Sequence, residues 1–162
     1  MKLRGIFVSV ATVGLMVGPA FAHGILNSVA GAAKDCTITG SAADDTLTGT
    51  TRDDVICSKA GQDTVDGKEG NDTIRLGQGD DTGNGGDGSD IIKGAQDDDT
   101  VDGQDQNDKV YGGQGDDTAE GEAGNDLVKT RDNVSGNDTA DGGNNTDTCR
   151  IDAGDTATSC EL

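Results

Sequence analysis

GGQGDDTAEGEAGNDLVK, residues 112–129, sets Asp116 against Asp117, surrounds the pair with glycine, and repeats the arrangement nine residues later. Like charges at that density repel, and glycine gives up more backbone entropy on folding than any other residue. A chain written this way needs stability from outside itself. Extending the frame of nine back to Gly40 gives GSAADDTLT, GTTRDDVIC, SKAGQDTVD, GKEGNDTIR, LGQGDDTGN, GGDGSDIIK, GAQDDDTVD, GQDQNDKVY, GGQGDDTAE and GEAGNDLVK, with no gap before Lys129. The sixth place is Asp throughout: Asp45, Asp54, Asp63, Asp72, Asp81, Asp90, Asp99, Asp108, Asp117 and Asp126. The eighth place is apolar in every frame but one, where Gly83 stands. Three extra residues, 130–132, precede two further frames, NVSGNDTAD and GGNNTDTCR.

A second period lies beneath the first. In alternate frames the seventh place reads Thr46, Thr64, Thr82, Thr100, Thr118 in one set and Val55, Thr73, Ile91, Lys109, Leu127 in the other. The ninth place separates the same sets, as Thr48, Asp66, Asn84, Asp102, Glu120 against Cys57, Arg75, Lys93, Tyr111, Lys129. An eighteen-residue super-period means two frames per turn of a coil, each giving a short strand to one of two opposed parallel sheets. The fold expected is therefore all-β, a parallel β-roll (a β-solenoid) with two repeats per coil. Side chains alternate along a strand, so the eighth place faces a thin core and the seventh and ninth face water. Twelve frames give six coils.

Composition bounds the rest. A net charge of -19, 31% hydrophobic and 2% aromatic residues describe a chain too polar to bury a sizeable core. Residues 1–22 have a basic start, an apolar run and the small-x-small ending Ala20-Phe21-Ala22, the pattern of a secretory signal peptide, and the run is too short for a membrane span. Its removal takes Lys2 and Arg4 away, moves the charge from -19 to -21, and leaves Tyr111 as the lone aromatic residue. The expected product is extracellular, with an N-terminal segment at 23–35, the roll at 36–150 and a C-terminal cap at 151–162. Stacking platforms are missing and an acidic surface repels phosphate, so nucleic acid is not an expected partner.

GGDGSDIIK, residues 85–93, fits G-G-x-G-x-D-x-U-x at every specified place, and the register holds through ten frames. The chain resembles the RTX, or hemolysin-type, calcium-binding repeat family from about residue 40 to 150. The resemblance implies Ca²⁺ as cofactor and the sixth-place aspartates as its ligands. The residues themselves suit that ion. Glycine at the first and fourth places permits positive φ in a turn whose carbonyls point inward, and Ca²⁺ accepts six to eight hard oxygens in irregular geometry. Frames keeping the fourth-place glycine (Gly61, Gly70, Gly79, Gly88, Gly115, Gly124) suit it best. Ala43, Arg52, Asp97 and Gln106 break the pattern, Arg52 most severely because it brings a cation.

Four cysteines allow three pairings, and the exported setting favours disulfides. A rod of six coils is roughly 25 to 30 Å long, far beyond the reach of a disulfide, so Cys36 should pair with Cys57 and Cys149 with Cys160, capping the two ends. No enzyme is expected. Periodic Asp without aromatic subsites or an apolar pocket does not make a carboxylate-pair hydrolase. A copper brace needs two imidazoles, and His23 is the one histidine. Family members often carry these repeats beside a protease, lipase or cytolytic domain. Here the expected export signal is N-terminal and no catalytic domain is expected, a departure that argues against a toxin or hydrolase role. The reading is an exported, monomeric, calcium-ion-binding protein that folds on Ca²⁺ as a structural or binding module. Its alternative is a cell-surface adhesion or ice-binding protein on the same roll, with the Arg75, Lys93, Lys129, Arg150 stripe available to an anionic cell-surface polymer.

Overall fold

Strands form where Thr, Val and Ile gather at the seventh to ninth places, and turns where Gly, Asp and Asn gather at the first to sixth. A computed structural model describes residues 35–134 and 136–161. The expected signal peptide, His23 and nearly all of segment 23–35 lie outside the described residues. Among those residues there are fourteen strands and no helix.

Odd-numbered strands make one sheet: β1 (Ile38–Thr39), β3 (Val55–Ala60), β5 (Thr73–Gln78), β7 (Ile91–Gln96), β9 (Lys109–Gln114), β11 (Leu127–Lys129) and β13 (Thr148–Arg150). Even-numbered strands make the other: β2 (Thr46–Thr48), β4 (Thr64–Asp66), β6 (Thr82–Asp87), β8 (Thr100–Asp105), β10 (Thr118–Glu120), β12 (Thr139–Asp141) and β14 (Thr156–Thr158). All pairs are parallel, and the register steps by eighteen residues, as in Ile74↔Ile92↔Val110. The insertion at 130–132 falls in the turn between β11 and β12, so both sheets take one step of twenty-one (Thr118↔Thr139, Leu127↔Thr148), and the even sheet then takes one of seventeen (Thr139↔Thr156).

The expected fold is the observed one, with a difference at its ends. Each sheet has seven strands rather than six, because Ile38–Thr39 adds a strand before the first frame and Thr156–Thr158 adds one within the segment expected to act only as a cap. Asp155-Thr156-Ala157 repeats Asp138-Thr139-Ala140 with a shortened turn between them, a repeat that strict spacing by nine passes over. Both disulfides are present, Cys36–Cys57 and Cys149–Cys160, with Cα atoms 5.9 and 5.6 Å apart.

The core is a double file of eighth-place side chains: Ile56, Ile74, Ile92, Val110, Val128 from one sheet and Val65, Val101, Ala119, Ala140 from the other, all buried. Two residues that break the repeat explain each other. Gly83 empties an eighth place, and Leu76, at a first place two residues beyond Ile74 on β5, turns inward to fill it. A Cβ on Gly83 would fall 2.9 Å from Leu76 Cδ1. Leu76 is fully buried, and the file stays continuous.

Candidate metal centre

The sixth-place aspartates end the turns and start the strands, forming two columns along the two edges of the roll. Their side chains point in. Asp63, Asp72, Asp81, Asp90, Asp99, Asp108, Asp117 and Asp126 are each no more than 3% exposed. One carboxylate oxygen has a fixed task. Oδ1 of each accepts the backbone N–H of the Asp one coil earlier, at 2.7 to 3.0 Å, as in Asp72 N–H to Asp90 and Asp81 N–H to Asp99. The other has none. Oδ2 of all eight is buried without a hydrogen-bond partner.

Burial of an unpartnered carboxylate oxygen is costly, and its cost appears in the proton affinities. Loss of hydration pushes the Asp99 and Asp108 carboxyls up to about 8 and those of Asp72, Asp81, Asp117 and Asp126 up to about 6. The N–H accepted by Oδ1 opposes this rise, and neighbouring carboxylates add to it. The column therefore favours an added positive charge, either a proton or a cation.

Where the first place is glycine, there is room for one beside Oδ2, as in the frames of Asp72, Asp90, Asp99, Asp108, Asp117, Asp126 and Asp147. First-place glycines lie beside it: a Cβ on Gly67 would sit 2.6 Å from Asp72 Oδ2, and on Gly85, Gly103 and Gly112 2.5 Å from Oδ2 of Asp90, Asp108 and Asp117. The same imagined Cβ on Gly85 would sit 2.7 Å from the carbonyl oxygen of Gly103 in the next coil. Carboxylate and carbonyl oxygens thus converge on space that any side chain would fill. This corrects the role expected for the first place. Its glycines supply room, whereas positive φ falls at the second and fourth places: Gly77, Gly86 and Gly113, with Gly61, Gly70, Gly79, Gly88 and Gly115. Non-glycine residues take that conformation too, Lys59, Ala95 and Gln104 at the second place and Asp97 (φ 72°) and Gln106 (φ 80°) at the fourth. The turns at Asp97 and Gln106 therefore keep their shape despite the broken motif.

Asp45 and Asp54 are built differently. Asp45 Oδ2 accepts the N–H (2.6 Å) and hydroxyl (2.9 Å) of Ser41, which hold the carboxyl below the usual carboxylate range. Asp54 Oδ2 accepts the N–H and hydroxyl of Thr50, both at 2.8 Å, and its Oδ1 accepts the hydroxyl of Thr37 at 3.0 Å. Lys59 Nζ donates to the Gly40 carbonyl at 2.6 Å. These are the frames with Ala43 and Arg52 at the fourth place, where the sequence pattern had already put the geometry in doubt.

At the other end the column continues past the ten residues expected. Asp138 and Asp147 accept the N–H of Asp117 and Asp126 at 2.8 Å, are buried, and keep an unpartnered Oδ2. Both stand at sixth places of the two frames after the insertion, which is the signal that identifies them. Glu161 then closes one column by accepting the Asp147 N–H at 2.6 Å.

The donor set is hard oxygen throughout the columns, with no imidazole and with every described cysteine in a disulfide. It fits Ca²⁺ and not a zinc site. The sequence pattern described as the RTX calcium-binding nonapeptide repeat (4 copies) matches residues 39–74, 58–92 and 93–128, together more than half of the chain. No curated protein matches it.

Proposed function

The chain belongs to the RTX calcium-binding nonapeptide repeat family, and from that premise we propose an exported structural or binding module whose roll becomes ordered when Ca²⁺ is held at the sixth-place aspartates. A calcium-binding structural module is what the family implies. The observation that carries the finer reading is the file of buried, unpartnered Oδ2 atoms from Asp63 to Asp147, with a first-place glycine beside Asp72, Asp90, Asp99, Asp108, Asp117, Asp126 and Asp147. The residues assigned as ligands are Asp63, Asp72, Asp81, Asp90, Asp99, Asp108, Asp117 and Asp126, extended to Asp138 and Asp147. Asp45 and Asp54 are assigned a structural role, since hydroxyl groups already occupy their oxygens.

Bound Ca²⁺ supplies charge neutralisation to carboxylates that the fold has dehydrated. The chain supplies the cage: Oδ1 fixes each carboxylate to the previous coil, first-place carbonyls such as that of Gly103 lie near the carboxylates, and the first-place glycines leave space. Two disulfides suit an oxidising compartment, in keeping with export. Circular dichroism of the protein titrated with Ca²⁺ against Mg²⁺ tests the reading. Strand signal should appear with Ca²⁺ at concentrations where Mg²⁺ has no effect, because Mg²⁺ keeps its waters and demands an octahedron. Equal folding in excess chelator would overturn it.

The ice-binding alternative has one feature in its favour, a ladder of threonines in register from Thr46 through Thr64, Thr82, Thr100, Thr118 and Thr139 to Thr156. Its neighbour on the same face is the ladder Asp66, Asn84, Asp102, Glu120, Asp141, a charged and hydrated strip. An ice-recrystallisation assay with and without Ca²⁺ separates the two readings.

A further inference from the structure

The two sheets divide the charge of the strands completely. Strands of the odd sheet contain six cations and no acid: Lys59, Arg75, Lys93, Lys109, Lys129 and Arg150. Strands of the even sheet contain six acids and no cation: Asp66, Asp87, Asp102, Asp105, Glu120 and Asp141. In a chain with 31 acidic and 12 basic residues, an acid-free sheet is an unexpected arrangement. Screening of an acidic rod would be served best by cations placed among acids, and here they are kept apart.

Each set forms a ladder. Arg75, Lys93, Tyr111, Lys129 and Arg150 are direct partners on successive strands, and Lys93 and Lys129 lie 5.7 and 5.0 Å from the Tyr111 ring centroid. On the opposite face Asp66, Asn84, Asp102, Glu120 and Asp141 are partners in the same way. Carboxylate oxygens of Asp102, Glu120 and Glu122 come within 4.8 Å of one another, which concentrates negative charge there. Among the described residues the ion pairs are Lys68 with Asp66 and Arg131 with Asp152, and neither draws on the cation ladder.

We propose that the cationic face of one copy docks on the acidic face of another, so that calcium-loaded rolls stack sheet to sheet. The two ladders belong to one coil and share its pitch, about 4.8 Å per rung over four steps, roughly 19 Å. Rungs of the two ladders therefore keep step, with Tyr111 and Asn84 the uncharged rungs. The contact joins two different faces, so it does not close, and each added copy presents a fresh face of either sign. A face about 30 Å long and 10 to 20 Å wide buries several hundred Å² on each side, which belongs to weak, reversible contacts rather than to a permanent dimer. Charge sets the condition. At -19 the metal-free chain repels its copies, and each divalent ion bound in the turns cancels two charges without touching either ladder.

The proposal rests on the calcium-folded roll, so strand signal is read in every sample and a failure to fold is seen as such. Sedimentation velocity in saturating Ca²⁺ at low salt should show the average mass at least doubling as protein concentration rises. It should return to monomer in about 0.5 M NaCl, where screening acts within about 4 Å. The triple reversal Arg75→Glu, Lys93→Glu, Lys129→Glu should stay monomeric, as should Asp102→Lys, Glu120→Lys, Asp141→Lys. Mixing these two variants should restore association, because the reversed face of one now complements the reversed face of the other. A folded wild type that stays monomeric at low salt overturns the proposal, as does association that survives either reversal. So does a monomeric roll whose cationic face captures a soluble polyuronate, because the occupant is then a polysaccharide.

Discussion

The first coil and the middle coils solve the same electrostatic problem in different ways. At the N-terminal edge Asp45 and Asp54 are satisfied by the chain's own groups, through Ser41, Thr50 and Thr37, and Lys59 reaches the Gly40 carbonyl. Cys36 is tied to Cys57 across the same edge. From Asp63 onward the second place no longer offers a hydroxyl, and one oxygen of every sixth-place Asp is left buried and unpartnered. An edge coil faces water on one side and must hold without a neighbour there. An interior coil has neighbours on both sides that bring further carboxylates, and it can hand its stability to an ion. The second-place residue decides which device is used, since Ser41 and Thr50 offer a hydroxyl and the frames from Asp63 to Asp147 offer none.

Removing calcium should break the two regions unequally and gives the largest effect. In hydrogen exchange with stepwise chelation, the amides of Asp72, Asp81 and Asp90, which donate to the next carboxylate in the column, should lose protection before those of Ser41 and Thr50. Simultaneous loss at both places would show that the edge has no device of its own.

Acidity should act with opposite sign in the two regions. Asp99 and Asp108 have folded pKa values of about 8 against 3.8 for the free side chain, so without metal their contribution is full below about pH 4 and is lost as pH rises toward 8. Asp45 is shifted down, so its contribution is present above 3.8 and lost as pH falls through the lower folded value. Strand content of the calcium-free protein should therefore increase from pH 8 to pH 5. A flat profile over that range would contradict the burial of the column.

Leu76→Ala opens a cavity at the one level where the file depends on a first-place side chain, and should cost about 2 to 5 kcal/mol in calcium-saturated unfolding. Leu76→Gly combined with Gly83→Val restores the consensus frame and should recover most of that loss. Failure of the pair to compensate would mean that Leu76 and Gly83 are not coupled.

The smallest effect sharpens the contrast. Asp45→Asn turns an acceptor facing the Ser41 donors into an amide, and should lower the unfolding midpoint slightly while leaving the number of bound Ca²⁺ unchanged. Asp99→Asn should lower the calcium stoichiometry measured by titration calorimetry. Equal stoichiometry in both variants would erase the distinction between the regions.

Much of this was legible in advance because a solenoid is nearly one-dimensional: spacing by nine names the turn and spacing by eighteen names the sheet. Asp54, Asp72 and Asp90 share a column because they are eighteen apart, and Ile56, Ile74 and Ile92 share a core file for the same reason. Weak points arose where the spacing was broken. The seventh strand of the even sheet, Thr156–Thr158, follows a shortened turn, and the inward role of Leu76 shows only when its side chain is set against Gly83. The role of the first-place glycine was also misassigned, since a glycine chosen for positive φ and one chosen for space look identical in a sequence.

Register, strand faces, the thin apolar core and both disulfide pairings were determined by the sequence itself, because each follows from counting along a coil of constant pitch. Which oxygen of each aspartate is spent on the previous coil and which is left over was decided only by the tertiary structure, as was the difference between Asp45 and Asp99. The task given to Oδ1 depends on distances between groups eighteen residues apart, and a hydroxyl four residues before Asp45 or Asp54 counts only once the turn brings it onto Oδ2.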